Sequence, residues 1–145
     1  MLVLASMVKV FIIEDDVMMA ECLELATLNG LRKLQSSYPD KLATDNYSTY
    51  TVSKFTNIFD ATQAINQSLP DLIILDILLS GPDGFSLLNE LMTYNDTATI
   101  PIIVVSSLDL NQQNLAHYGV VRVFQKESMT PLQLSSAIQE ILANA

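Results

Sequence analysis

Five polar side chains stand at the ends of apolar runs, and together they define a chemistry. Asp76 closes Pro70-Asp71-Leu72-Ile73-Ile74-Leu75, a run that is apolar from Leu72 on. Glu14 and Asp15 close Val8-Lys9-Val10-Phe11-Ile12-Ile13, Ser106 closes Ile100-Pro101-Ile102-Ile103-Val104-Val105, and Lys126 follows Val120 to Gln125. Carboxylates, a hydroxyl and an ammonium in one place can hold a divalent cation, offer a carboxylate nucleophile and neutralise a phosphoryl group. Each has a plainer reading. Asp76 alone could cap a helix, and Glu14-Asp15-Asp16 could be a solvated turn in which Asp16 starts the next helix. Clustered acids also carry a cost. Two charges about 4 Å apart repel by roughly 4 kcal/mol at an effective dielectric near 20.

These residues meet only if the runs are strands of one sheet. Short apolar stretches without polar alternation are strands buried on both faces, as in parallel sheets. Between them lie helical patterns. Val17–Leu34 places Met18, Cys22, Leu25, Leu28 and Leu31 near helical spacing, with Cys22 as a small core residue and Asn29-Gly30 weakening the last third. Gln35–Ser48 is turn-rich and reads as loop, and Tyr50–Thr56 alternates as a more exposed strand. Helices follow at Asn57–Ser68, Gly84–Tyr94 and Asp109–Tyr118, the last with few apolar anchors. A final helix, capped by Thr130 with Pro131 at its first position, runs through Ile141. Five strands alternating with five helices make an α/β doubly wound parallel sheet, and such sheets bind ligands at the carboxyl ends of their strands.

Composition sets the limits. At 145 residues, half of them hydrophobic, the chain suits one domain. A net charge of −9 argues against direct nucleic-acid binding. No apolar run has the length of a membrane helix, and Met1–Ser6 is too short and uncharged for a signal peptide. Cys22 is the one cysteine, so a disulfide framework and a cysteine zinc site are excluded, and a reducing cytoplasmic compartment is expected. His117, on a polar helix, reads as a surface residue, and no second histidine exists for an intramolecular phosphorelay.

In this ordered set the chain resembles the receiver domain of two-component response regulators. The resemblance runs from Met7 to about Leu142 and rests on Ile13-Glu14-Asp15, on Pro70-Asp71 through Asp76 to Pro82-Asp83-Gly84, on Pro101 to Ser106, and on Lys126. It implies a flavodoxin-like sheet with strand order 2-1-3-4-5. It implies that Asp76 is the phosphoacceptor, with Lys126 and Ser106 assisting. It implies Mg2+ held by Asp15, Asp76 and the Leu78 backbone carbonyl, with Glu14 acting through water. The donor would be a sensor histidine kinase or a histidine phosphotransfer protein. The output would be a downstream protein or an effector domain outside this chain, with no nucleic acid and no membrane contacted directly. Such a protein is a signalling switch with slow autodephosphorylation, not a turnover enzyme.

The sequence departs from the family pattern in places. Residues 1–6 form an N-terminal extension to a single domain over 7–145. The interval from Asp15 to Asp76 is longer than the family usually has, and the excess falls at about 31–49. Glu127 follows Lys126 where many members have proline, so a cis bond is not expected there. Val123 stands where the family often has an aromatic switch, and Phe124, one residue on, points to the opposite face. Ser107 replaces a more usual alanine.

Rival readings fare worse. Aspartate-nucleophile phosphatases and toprim-type nucleases want an Asp-x-Asp pair, and Asp76-Ile77-Leu78 lacks the second acid. A flavodoxin would need a phosphate-binding turn where Glu14-Asp15-Asp16 stands. A receiver-like module that is never phosphorylated would not need the complete acid, serine and lysine set. If the three acids do cluster, their repulsion should strain the metal-free fold, and Asp15→Asn should then raise its stability.

Overall fold

The structure, a computed structural model, describes residues 7–37 and 50–145. The expectations for residues 1–6 and for most of the 31–49 insertion lie outside the described residues. Five strands, β1 (Val8–Ile13), β2 (Tyr50–Phe55), β3 (Leu72–Leu75), β4 (Ile102–Ser106) and β5 (Val120–Gln125), form one parallel sheet in the order β2-β1-β3-β4-β5. That is the expected flavodoxin-like order.

The central strands are the apolar runs. Ile73, Ile74 and Leu75 of β3 and Ile102, Ile103 and Val104 of β4 are fully buried, because helices cover both faces. Alternate residues serve two cores. Phe11, Ile13, Ile73, Leu75, Ile102 and Val104 pack with α2 (Ile58–Gln67) and α3 (Gly84–Leu91). Val10, Ile12, Leu72, Ile74, Ile103 and Val105 pack with α1 (Val17–Ser37) and α6 (Pro131–Ala143). Val123 joins the first core and Phe124 the second, so the two do lie on opposite faces. Each fully buried Leu or Ile contributes about 1.5–3 kcal/mol. No peptide bond among the described residues is cis.

Helix α1 corrects two expectations. It runs to Ser37, so the first residues assigned to the insertion are helical, with Leu31 and Leu34 buried. Its inward face is Leu23, Ala26, Thr27, Gly30, Leu31 and Leu34, whereas Met18, Cys22 and Leu25 are exposed. The helix carries two apolar stripes, and α6 selects the one with small residues. A Cβ on Gly30 would sit 2.9 Å from the Ser135 carbonyl oxygen, so Gly30 lets two backbones touch instead of weakening the helix.

Two of the remaining helices are shorter than their patterns, while α6 runs two residues past Ile141, to Ala143. The helix expected over Gly84–Tyr94 ends as α3 at Leu91, and a separate single turn, α4 (Asn95–Ala98), follows it. Asp109–Tyr118 shrinks to α5 (Gln112–Leu115) and a 3-10 turn at Ala116–Tyr118. Leu115 is the buried anchor of that segment, too little apolar area to hold three turns. His117 is exposed, as expected. Caps are legible: Asn57 for α2, Asp83 for α3, and Thr130 with Gln133 in a capping box for α6. No helix among the described residues is long and apolar enough to cross a membrane.

Candidate functional site

Parallel register brings the polar strand ends to one edge. Ile13 of β1 is level with Leu75 of β3, so Glu14 and Asp76 leave the sheet side by side, and the Asp76 N–H donates to the Ile13 carbonyl at 3.0 Å. Leu75 is level with Val104, and Ser106 with Gln125, which brings Ser106 and Lys126 to the same edge. The Lys126 N–H donates to the Ser106 carbonyl at 2.9 Å. Asp16 accepts from the Met19 N–H at 2.8 Å and so starts α1, as its place in the sequence implied.

Lys126 is the charge at the centre. Its Nζ lies 2.9 Å from Glu14 Oε2 and 3.0 Å from Asp76 Oδ2. Glu14 and Asp76 are almost wholly buried, at 1% and 2% exposure, so one ammonium faces two carboxylates away from water. Burial pushes the Glu14 carboxyl above its ordinary value, and the Lys126 hydrogen bond only partly offsets this. Burial also disfavours the Lys126 charge, but its bonds to Glu14 and Asp76 outweigh that and raise the ammonium pKa. The other Asp76 oxygen, Oδ1, accepts from the Leu78 N–H at 3.1 Å. Ser106 Oγ, fully buried, accepts from the Leu108 N–H at 3.2 Å.

Asp15 is held differently. Its Oδ2 accepts from the Ser80 N–H at 3.0 Å and from the Ser80 hydroxyl at 2.9 Å. These two bonds, backbone first, hold its carboxyl below the usual value. Ser80 was not singled out from the sequence. An isolated Ser-Gly-Pro-Asp turn carries no mark of the strand end it folds against.

The loop after β3 is fixed by a close approach. The Gly84 N–H donates to the Ile77 carbonyl at 2.9 Å, and a Cβ on Gly84 would lie 2.8 Å from both the Asp76 carbonyl oxygen and Ile77 Cα. Only glycine fits there, and this is the physical content of the Asp83-Gly84 pair. Glu14, Asp15 and Asp76 each offer an oxygen within 4.8 Å of the others, a donor set suited to a hard divalent cation.

A parallel 2-1-3-4-5 sheet with buried acids and a lysine at its carboxyl edge has the architecture of a receiver-type signalling domain. The response regulator receiver domain model matches residues 40–139, and the chain belongs to that family. Members are signalling switches, not classical enzymes. The protein is 32% identical over 60 residues to PilH of Pseudomonas aeruginosa, a stretch covering 41% of this chain and 50% of PilH. The chain spans half or less of the curated relatives it matches. Among solved structures, a protein of Chloroflexus aurantiacus described as a response regulator superposes with a TM-score of 0.70 at 27% identity, covering 94% of this chain and 98% of that one. The receiver domain of the sensor histidine kinase PA1611 from Pseudomonas aeruginosa shares the fold, with a TM-score of 0.68 at 19% identity and coverage of 94% and 98%. That structure has a magnesium ion coordinated in its active-site cleft.

Proposed function

We propose that the protein is a phosphoacceptor switch in which Asp76 takes a phosphoryl group from phosphohistidine on a sensor histidine kinase or a histidine phosphotransfer protein. The observation that carries this reading is Asp76 itself. It is a buried carboxylate at the end of the central strand, within 3.0 Å of Lys126 Nζ and beside two further acids.

An Asp76 oxygen attacks phosphorus in line, the phosphorus–nitrogen bond of phosphohistidine breaks, and the donor imidazole, which takes a proton from water on its other ring nitrogen, leaves as the neutral base. The product is an acyl phosphate on Asp76. Lys126 exchanges part of its pairing with Asp76 for a phosphoryl oxygen, and the buried Ser106 hydroxyl donates to another. Mg2+ would be held by Asp15, Asp76 and the Leu78 carbonyl, with Glu14 through water. When bound, it supplies positive charge that offsets the phosphoryl oxygens. Attack by water at the same site makes the switch slowly self-resetting, and phosphorylation changes the binding of a downstream protein or an effector domain outside this chain. Val123, in place of an aromatic, couples that change to the β5 face by a smaller side-chain movement.

We take residues 7–145 as one receiver unit working in the cytoplasm. The insertion is dispensable for phosphorylation, because Ser37 and Tyr50, which flank its undescribed part, lie at the far edge of the sheet from Asp76. The test is mass spectrometry after treatment with acetyl phosphate and Mg2+. Wild type and a variant shortened within 38–49 should gain one phosphoryl group, and Asp76→Asn none. Labelling of Asp76→Asn would overturn the assignment.

A further inference from the structure

We propose that Ser80 is a positioning residue for the cation site, holding Asp15 by one oxygen so that the other is left for the metal. The inference rests on the reading of Asp15 as a metal ligand and goes beyond it, because Ser80 itself touches neither cation nor phosphoryl group.

Three facts carry it. Both donors of Ser80, the backbone N–H at 3.0 Å and the hydroxyl at 2.9 Å, converge on the same atom, Asp15 Oδ2. A carboxylate gripped twice at one oxygen loses its free rotation and presents Oδ1 alone. Next, Ser80 is itself held. Its neighbour Leu79 is buried in the core, and the Leu79 and Gly84 N–H groups both donate to the Ile77 carbonyl, at 3.2 and 2.9 Å. The two donors therefore reach Asp15 from a loop fixed against the end of β3. Finally, the charges are partitioned. The Lys126 ammonium is engaged with Glu14 and Asp76, at 2.9 and 3.0 Å, and makes no hydrogen bond to Asp15. Neutral donors from Ser80 stabilise the Asp15 charge without bringing a second cation that would repel the metal. Hydrogen-bonded support of a ligating carboxylate is worth about 10–100-fold in metal affinity.

The probe is Mg2+ alone, titrated into the full chain at constant ionic strength and followed by calorimetry and by melting temperature. Ser80→Ala keeps the backbone donor and loses the hydroxyl, so the Mg2+ dissociation constant should rise by about tenfold, the low end of that range. Ser80→Thr restores the hydroxyl and should return the constant to within about twofold of wild type, a rescue that a general loosening of the loop would not give. Wild-type Mg2+ affinity in Ser80→Ala, or equal losses in Ser80→Ala and Ser80→Thr, would overturn the role of Ser80 while leaving the phosphoacceptor reading intact. Absence of saturable Mg2+ binding by the wild type would instead remove the cation site itself, and the Ser80 role with it.

Discussion

Lys126 Nζ lies 3.0 Å from Asp76 Oδ2 although their strands are not neighbours, since β4 runs between β3 and β5. The ammonium crosses the end of β4 and goes on to Glu14 at 2.9 Å, beyond β3. One side chain thus ties the ends of three strands. With a side-chain exposure of 16%, against 0% for Glu14 and 2% for Asp76, it is the least buried of the three.

Lys126→Met should therefore destabilise the fold as well as impair phosphorylation. It leaves two buried carboxylates without their cation, and breaking such a pair costs about 3–5 kcal/mol. Partial exposure of Lys126 places the expected loss at the lower end, read as the drop in urea-unfolding free energy. A Lys126→Met protein as stable as wild type would mean that the ion pairs contribute nothing to the fold.

Glu14 should make metal-free stability fall as pH rises from the acid side. Burial raises its folded pKa above the ordinary 4.5, so between 4.5 and the folded value the native state binds more protons than the unfolded chain. Stability drops through that window, and the penalty is complete above the folded pKa. Asp15 acts in the opposite sense lower down. Its depressed pKa gives stability that is present above 3.8 and is lost as pH falls through the folded value. Glu14→Gln should flatten the fall above pH 4.5, checked by urea unfolding at a series of pH values. An unchanged profile in the variant would place the titration elsewhere.

Mg2+ should raise the melting temperature saturably, by the equivalent of about 2.7 kcal/mol at a hundredfold excess over its dissociation constant. Asp15→Asn should remove most of that gain. The repulsion argument from sequence expected the same variant to be more stable without metal, whereas the two Ser80 hydrogen bonds to Asp15 argue for the opposite sign. The two Ser80 bonds stabilise the Asp15 charge, and what raises the Glu14 carboxyl is chiefly its burial, with repulsion from Asp76 a smaller contribution. Asp15→Asn should thus be no more stable than wild type in EDTA. A melting series with and without Mg2+ reads both effects.

Gly84→Ala should cost about 1–3 kcal/mol. The new Cβ would meet backbone, the Asp76 carbonyl and Ile77 Cα, at 2.8 Å, so relief requires moving the loop that follows the phosphoacceptor. A reduced melting temperature together with slower labelling by acetyl phosphate is the expected result. Unchanged labelling would show that the loop moves without taking Asp76 along.

Much of the architecture was legible in the chain because strand identity here is a one-dimensional property. Ile73-Ile74-Leu75 and Ile102-Ile103-Val104 are apolar without alternation, and only a strand covered on both faces tolerates that. The polar residues that end those runs were legible for the same reason, since a carboxylate closing a buried strand must emerge at its edge. Family resemblance supplied the strand order, and the register between Ile13, Leu75 and Val104 realises it. What the chain alone left open was every choice between near-equal local alternatives. Helix α1 has two apolar stripes, and the approach of Ser135 to Gly30 decided which one is buried, turning Cys22 and Met18 outward. Segment 109–118 has helical residues but one deep anchor, Leu115, and its length was set by how little of it could pack. At the site, sequence named three acids and one lysine but not their pairing. That Lys126 serves Glu14 and Asp76 while Ser80 serves Asp15 depends on a loop folding back over a strand end. Contacts of that kind join residues far apart in the chain and leave no periodicity behind, so only the tertiary structure decides them.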